Sequence, residues 1–194
     1  MGSWIAYVRI LSSFGSSVIA GYTIGVRVIL FALLPASGLA NAAATMVGQA
    51  LGAKKPERAE QAVKLAGTYN MLVLSAVGAL LAIFAPAIAR GFTSDATVIP
   101  YASSFLRTVA CGFPFYGWGM VLGQSFNGAG ETRTPTWINF LVFWCWEVPL
   151  AYVAGVWLEF GPRGTFLAVT IAFCTYAVVA AWAFRRGSWK GKSV

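Results

Sequence analysis

One carboxylate lies in the middle of a long apolar segment of this sequence. Glu147 is the only charged residue between Arg133 and Glu159, and in a helix it would lie about 20 Å from the first and about 18 Å from the second. Because the hydrocarbon core of a bilayer is about 30 Å thick, Glu147 would lie near its midplane. Inserting an ionisable group at that depth costs roughly 2.5–3.5 kcal/mol, and such groups typically mark ion or substrate pathways. Glu147 is therefore a candidate proton carrier.

The helical pattern around Glu147 predicts that its carboxylate shares a face with polar and aromatic side chains. Pro149 cannot donate a backbone N–H to the carbonyl of Cys145, so a kink is expected beside the acid. The alternative is that Glu147 is a neutral, hydrogen-bonded packing residue, and the pattern leaves both interpretations open. At 3.6 residues per turn the same face carries Thr136, Asn139, Phe140, Phe143, Trp144, Ala151 and Ala154.

Four other side chains are candidates for contacting a substrate. Asn41 and Asn139 are amides deep within predicted helices, where they could line a cavity. Tyr116 and Trp144 are deep aromatic residues that could hold an organic cation through the ring quadrupole. The alternative for both rings is that they pack in the bundle or face lipid.

The composition argues against catalysis and metal binding. The sequence contains no histidine, which removes the commonest general base and the commonest metal ligand. The spacing of the three cysteines fits no metal motif. We therefore predict a protein that is not an enzyme and has neither a cofactor nor a metal site. The cysteines are interpreted as packing residues within apolar segments, at Cys111, Cys145 and Cys174.

The overall composition is that of a membrane protein. Of the 194 residues, 58% are hydrophobic and only 10% are charged, whereas soluble domains carry about 25% charged residues. The net charge of +8 could suggest a nucleic-acid partner, but the basic residues lie in short loops between apolar segments. The predicted partner is therefore the lipid bilayer, and no nucleic acid.

The apolar segments predict an all-α membrane protein, a bundle of about six transmembrane helices of which five are complete and one is partial. The first apolar piece is too short to cross a bilayer and is interpreted as the end of a span whose beginning is missing. The predicted lobe occupies residues 1–184, followed by a basic tail at 185–194. Its spans are about 1–14 (partial), 20–51, 64–89, 97–127, 134–158 and 164–184.

The distribution of basic residues predicts the orientation. Cytoplasmic loops carry an excess of Lys and Arg, and only Arg90 and Arg163 lie on the poorer side of the predicted bundle. We therefore predict a multi-pass protein of the cell membrane, the inner membrane if the source is a bacterium, with a cytoplasmic tail. The richer side carries Lys54, Lys55, Arg58, Lys64, Arg133, Arg185, Arg186, Lys190 and Lys192.

Three stretches of the sequence resemble the multidrug and toxic compound extrusion (MATE) family of antiporters. The first, residues 21–60, ends in GQALGAKKPERAE and resembles the region of the family's eighth span. The second, residues 115–140, contains NGAGETRTP and resembles the tenth and eleventh spans. The third combines PLAYVAG with FGPRGTFLAVTIAF and resembles the final hairpin. The specific motifs are GQ-x-x-GA and NGAG-x-T-x-TP.

The resemblance implies a fold of twelve helices in two pseudosymmetric lobes, of which this chain matches the second. It implies a secondary active antiporter that exports cationic or amphipathic compounds in exchange for protons or sodium ions. Some members place a coupling acid in the tenth span, but Phe115–Trp118 contains none, so that role is not transferred. The coupling role of Glu147 is inferred from its depth.

The resemblance also sets the expected partners and the alternatives. The partners would be a small cationic substrate, a proton or sodium ion, and a missing N-terminal lobe or a second copy of the chain. One alternative is a flippase of related fold that carries a lipid-linked substrate. Another is a truncated membrane fragment that transports nothing, because half of a cavity can be insufficient for binding.

Overall fold

The computed structural model describes residues 2–191, and side chains within residues 5–189. All regular secondary structure in this range is helical, which confirms the predicted all-α fold. Four helices in the described range are long and apolar enough to cross a membrane. They are α2 (Ser16–Gly52), α3 (Pro56–Phe92), the 25-residue helix Arg133–Trp157, here called the Glu147 helix, and α8 (Gly161–Arg185).

Three shorter helices complete the bundle. α1 (Gly2–Ser12) ends in a turn at Gly15, whose φ of 105° is readily adopted only by glycine. The segment predicted as one span at 97–127 consists of α4 (Ile99–Ala110) and α5 (Phe113–Gly128). The two helices meet at Cys111 and Gly112, and Pro114 lies in the first turn of α5, where its missing N–H removes no helical hydrogen bond.

The Glu147 helix is not a regular α-helix. It consists of α6 (Arg133–Phe140), a π-helical segment π1 (Leu141–Trp146), α7 (Glu147–Tyr152) and a second π-helical segment π2 (Val153–Trp157). π-Helical segments are rare and occur frequently at functional sites. Here the first one leads directly to the candidate carboxylate.

Two hydrophobic clusters hold the bundle together, one near each end. Close approach of α2 to α4 is possible because Gly21 and Gly25 carry no side chain. A Cβ atom at Gly21 would lie 2.8 Å from the Cβ of Tyr101, and one at Gly25 would overlap the ring of Phe105. Large residues of the first cluster are Leu11, Tyr22, Phe105, Phe113 and Phe166. Large residues of the second cluster are Val63, Leu122, Phe126, Phe184 and Trp189.

The start of the basic tail folds back onto the bundle. A short 3₁₀ helix, Ser188–Gly191, follows α8, and the indole of Trp189 is fully buried with its Nε1 donating to the carbonyl of Phe184 at 3.0 Å. Ser188 Oγ donates to the buried carboxylate of Glu131 at 3.4 Å. The predicted tail therefore has a packed beginning, and its last three residues lie outside the described range.

Candidate ion-coupling site around Glu147

The backbone before Glu147 sets the direction of its side chain. The N–H of Glu147 donates to the carbonyl of Val142, five residues earlier, rather than to the carbonyl four residues earlier. This wider turn holds about one extra residue, which displaces the side chains of π1 from the α-helical pattern. The irregularity expected beside Pro149 thus takes the form of a π-helical turn ahead of it.

The Glu147 carboxyl faces the inside of the lobe. The residue is half-buried, and its charge acts on the phenols of Tyr7 on α1 and Tyr116 on α5. Among the side chains of residues 5–189, none makes a hydrogen bond to this carboxyl. The carboxyl therefore lies in an apolar environment, with two phenols nearby.

Tyr116 belongs to a cluster of aromatic rings from several helices. Tyr116 stacks on Phe173 of α8, with ring centroids 4.1 Å apart, and its ring centroid lies 6.0 Å from that of Tyr176. Phe143 of π1 lies 5.6 Å from the same Tyr176 ring. These rings form one aromatic wall between π1, α5 and α8.

The second tyrosine is fixed from the opposite side. The Tyr7 hydroxyl donates to the backbone carbonyl of Thr165 on α8, and its ring stacks on Tyr22 at 5.3 Å. Sequence reasoning did not select Tyr7, although a tyrosine within an apolar segment has a polar tip that needs a partner. That polar tip was the available signal.

The structure brings one predicted substrate residue, Tyr116, close to Glu147 and leaves three others on exposed faces. Asn41 is exposed on α2, and Asn139 is exposed with its Nδ2 donating to the carbonyl of Pro135 at 2.8 Å. Trp144 is 41% exposed, whereas its neighbour Phe143 packs toward α8.

The described residues contain no group of three or more His, Cys, Asp or Glu side chains that could hold a metal ion. The chemistry available around Glu147 is therefore that of one carboxyl group, two nearby phenols and an aromatic wall. Such a site can exchange a proton or attract a cation.

A sequence profile of the MatE family matches residues 2–153 of this chain. The chain belongs to the MATE family. Its curated MATE relatives include the probable multidrug resistance protein NorM of Thermotoga maritima, 23% identical over 190 residues, which are 98% of this chain and 41% of NorM. The probable multidrug resistance protein YpnP of Bacillus subtilis is 24% identical over 97% of this chain and 42% of YpnP.

Solved MATE structures share the fold. The Vibrio cholerae MATE transporter VcmN in the bent form is 22% identical, with a TM-score of 0.89 over 95% of this chain and 42% of VcmN. The MATE transporter ClbM in complex with Rb⁺ is 20% identical, with a TM-score of 0.90 over 100% of this chain and 46% of ClbM. The chain thus spans less than half the length of these MATE proteins, consistent with one lobe of the fold.

Proposed function

We propose that this chain is one lobe of a secondary active antiporter that exports cationic or amphipathic compounds across the cell membrane. Membership of the MATE family supports transport, and the position of Glu147 supports a coupling role. The carboxyl is half-buried near the phenols of Tyr7 and Tyr116 and makes no hydrogen bond to side chains within residues 5–189. That single observation carries the proposal, because it leaves the group available to a proton or a cation.

The coupling follows from competition at one carboxyl group. Protonation neutralises Glu147 and weakens its attraction for a cationic substrate, while a bound cation favours the ionised form. By linkage, each ligand weakens the other by the same free energy. The ring of Tyr116 offers a face on which the aromatic or cationic part of a substrate could stack. Exchange of substrate for proton then requires no second acid in this lobe.

Asn41, Asn139 and Trp144 would contact substrate from the exposed faces of the lobe. This chain matches only about two fifths of the length of NorM and YpnP. The proposed cavity therefore lies between this lobe and an N-terminal lobe or a second copy. The cytoplasmic position of the tail and of the loop between α2 and α3 belongs to the same proposal, and rests on the basic residues of these segments.

Sodium is the second candidate for the coupling ion. The structurally similar transporter ClbM has been solved in complex with Rb⁺, and a carboxylate can attract an alkali cation as well as a proton. A flippase for a lipid-linked substrate and a fragment without transport activity are the other candidates. Substrate competition assays with cationic dyes and lipid-linked sugars distinguish a flippase from an exporter of cationic compounds.

The decisive variant is Glu147→Gln in a two-lobed protein that contains this chain as one lobe. Gln keeps the size of the side chain but cannot cycle a proton. We expect export to fall to background, and substrate-induced proton release in detergent to disappear, while membrane insertion stays normal. Glu159→Gln is the matched control, since Glu159 is exposed beyond the end of the same helix. Normal efflux by the Glu147→Gln protein would leave Glu147 as a structural residue.

Expression of this chain by itself tests whether transport needs an N-terminal lobe or a second copy. We expect no energy-dependent dye efflux from a sensitive host, because one lobe provides only one wall of the proposed cavity. Efflux by the chain alone would indicate that two copies form the cavity together.

A further inference from the structure

A groove with a volume of about 530 Å³ separates α1 from the Glu147 helix. It does not belong to the Glu147 site, because its wall is formed by the neighbouring residues Val148 and Pro149 and, farther along, by Tyr152 and Val156. The facing wall on α1 contributes Arg9, and Ser13 follows at the end of the groove. The groove is thus mostly apolar, with one cation.

Arg9 has no anionic partner in the described part of the protein. Its guanidinium makes no ion pair or hydrogen bond with residues 5–189. Arg107 provides a contrast, because its Nε donates to the carbonyl of Ala82 at 3.1 Å. A guanidinium beside an apolar groove at the edge of a bilayer can donate hydrogen bonds to an anion. The oxygens of a phosphate match the planar donor geometry of the guanidinium.

The depth of the polar groups fits a lipid head group. Arg9 lies three residues before the end of α1 at Ser12, about 4.5 Å along the axis, so its side chain can extend to the level of the phosphates. Tyr152 lies five residues before the end of π2, and tyrosine is enriched at this level of a bilayer. Val148 and Pro149 line the deeper part of the groove, toward the bilayer centre.

We propose that this groove binds one anionic phospholipid of the leaflet at which α1 and the Glu147 helix end. The lipid phosphate accepts hydrogen bonds from the guanidinium of Arg9, and one acyl chain lies along Val148, Pro149 and Val156. Charge complementarity selects the anionic head group, and the apolar wall selects the chain. The site is independent of the proposed transport activity, because it needs neither a substrate nor Glu147.

The test measures lipid binding to the purified full chain in detergent by native mass spectrometry, with phosphatidylglycerol and phosphatidylcholine of the same acyl chains. Wild type should bind one phosphatidylglycerol more tightly than phosphatidylcholine. Arg9→Gln should weaken phosphatidylglycerol binding about fivefold, and Arg9→Lys should retain most of the preference. Arg163→Gln is the matched control, since Arg163 is exposed at the same end of the bundle and does not line the groove.

A second variant addresses the acyl chain and covers the case in which Arg9→Gln does not fold. Val156→Phe keeps the charge and narrows the groove, so it should weaken binding of phosphatidylglycerol. The proposal is overturned if folded Arg9→Gln binds phosphatidylglycerol as wild type does, or if Val156→Phe leaves this binding unchanged. It is also overturned if wild type binds the two lipids equally, or if Ser13→Cys cross-links to a second copy of the chain in vesicles containing phosphatidylglycerol.

Discussion

The indole of Trp189 stacks on the ring of Phe184, with centroids 4.6 Å apart and an angle of 18° between the planes. The chain reverses between them at Gly187, whose φ is 72°. The reversal also allows the hydroxyl of Ser188 to donate a hydrogen bond to the carboxylate of Glu131, which follows α5. The end of α8 is thereby tied to the loop that leads into the Glu147 helix.

Removing the buried indole should destabilise this end of the bundle. We expect Trp189→Ala to lower the free energy of unfolding by about 3 kcal/mol, because a large core side chain leaves a cavity when truncated. Thermal unfolding of the purified protein in detergent measures the change. Trp182→Ala is the control, since Trp182 is 56% exposed and the guanidinium carbon of Arg186 lies 3.6 Å from the centroid of its ring. Equal effects of the two variants would contradict the packing described for Trp189.

The contact between α2 and α4 should not tolerate a side chain at Gly21. A Cβ there would lie 2.8 Å from both the Cβ of Tyr101 and the backbone nitrogen of Ala102. Overpacking of this kind costs about 1–3 kcal/mol, which exceeds the roughly 1 kcal/mol that alanine gains over glycine in a helix. We expect Gly21→Ala to lower the melting temperature. Gly38→Ala, on the same helix with no atom within 4 Å of the new Cβ, should leave it unchanged or raise it.

The carboxyl of Asp95, which lies in the loop between α3 and α4, provides a prediction about pH dependence. The hydroxyl and the backbone N–H of Thr97 donate to its Oδ1 at 2.7 and 2.8 Å, and these bonds lower the pKa of the Asp95 carboxyl. A lowered folded-state pKa means that the stabilisation is complete above the unfolded-state value and is lost as pH falls through the folded-state value. Local stability should therefore be constant from about pH 5 upward with respect to this group.

The titration of the Asp95 carboxyl can be followed by its NMR chemical shift. We expect a midpoint below that of a short unstructured peptide with the same sequence. Thr97→Val removes the hydroxyl and should move the midpoint toward the peptide value, whereas Thr97→Ser should preserve it. A midpoint in wild type at or above the peptide value would contradict these hydrogen bonds.

The basic residues predict which loops share a side of the membrane. Reporter fusions after Lys55 and after Arg133 should give a cytoplasmic signal, and fusions near Asp95 and Arg163 should give an external one. The physical reason is the excess of basic residues in the loops of the first group. A cytoplasmic signal at Asp95 would contradict the proposed orientation, and cytoplasmic signals at both Lys55 and Asp95 would contradict the assignment of α3 as a span.

The fold could be predicted because its signals are long and local. The apolar stretches through α2 and α3 are longer than a bilayer requires, and the two helices remain continuous across Pro35 and Pro86. The division of the 97–127 segment was harder to foresee. Pro114 fits both a kinked helix and the first turn of a new one, and only packing against α8 around Gly112 distinguishes them.

For the candidate site, the sequence singles out Glu147 as the deep acid but does not give the arrangement of the side chains near it. A regular helical wheel assumes about 100° per residue, so it assigns Phe143 and Trp144 to the same face as Glu147. The π-helical turn changes this relation, and Phe143 packs on Tyr176 while Trp144 stays partly exposed. Tyr7 is distant in sequence from Glu147, and the electrostatic effect of Glu147 on it depends on the packing of α1 against α7, which no local pattern encodes. The roles assigned to Asn41, Tyr116, Asn139, Trp144 and Glu147 remain predictions.

The π-helical segment Leu141–Trp146 also determines where this helix can lose a residue. In a regular α-helix, deleting one residue rotates everything after it by about 100° relative to what precedes. The π-helical turn already holds about one residue more than an α-helical turn. A deletion within this segment would be absorbed as the turn contracts to α geometry, and the carboxyl of Glu147 would stay on the side of the helix that faces Tyr116. Length variants shortened by one residue should therefore be tolerated here and not in the middle of α8, a regular α-helix, where the same deletion turns the rest of that helix away from α5.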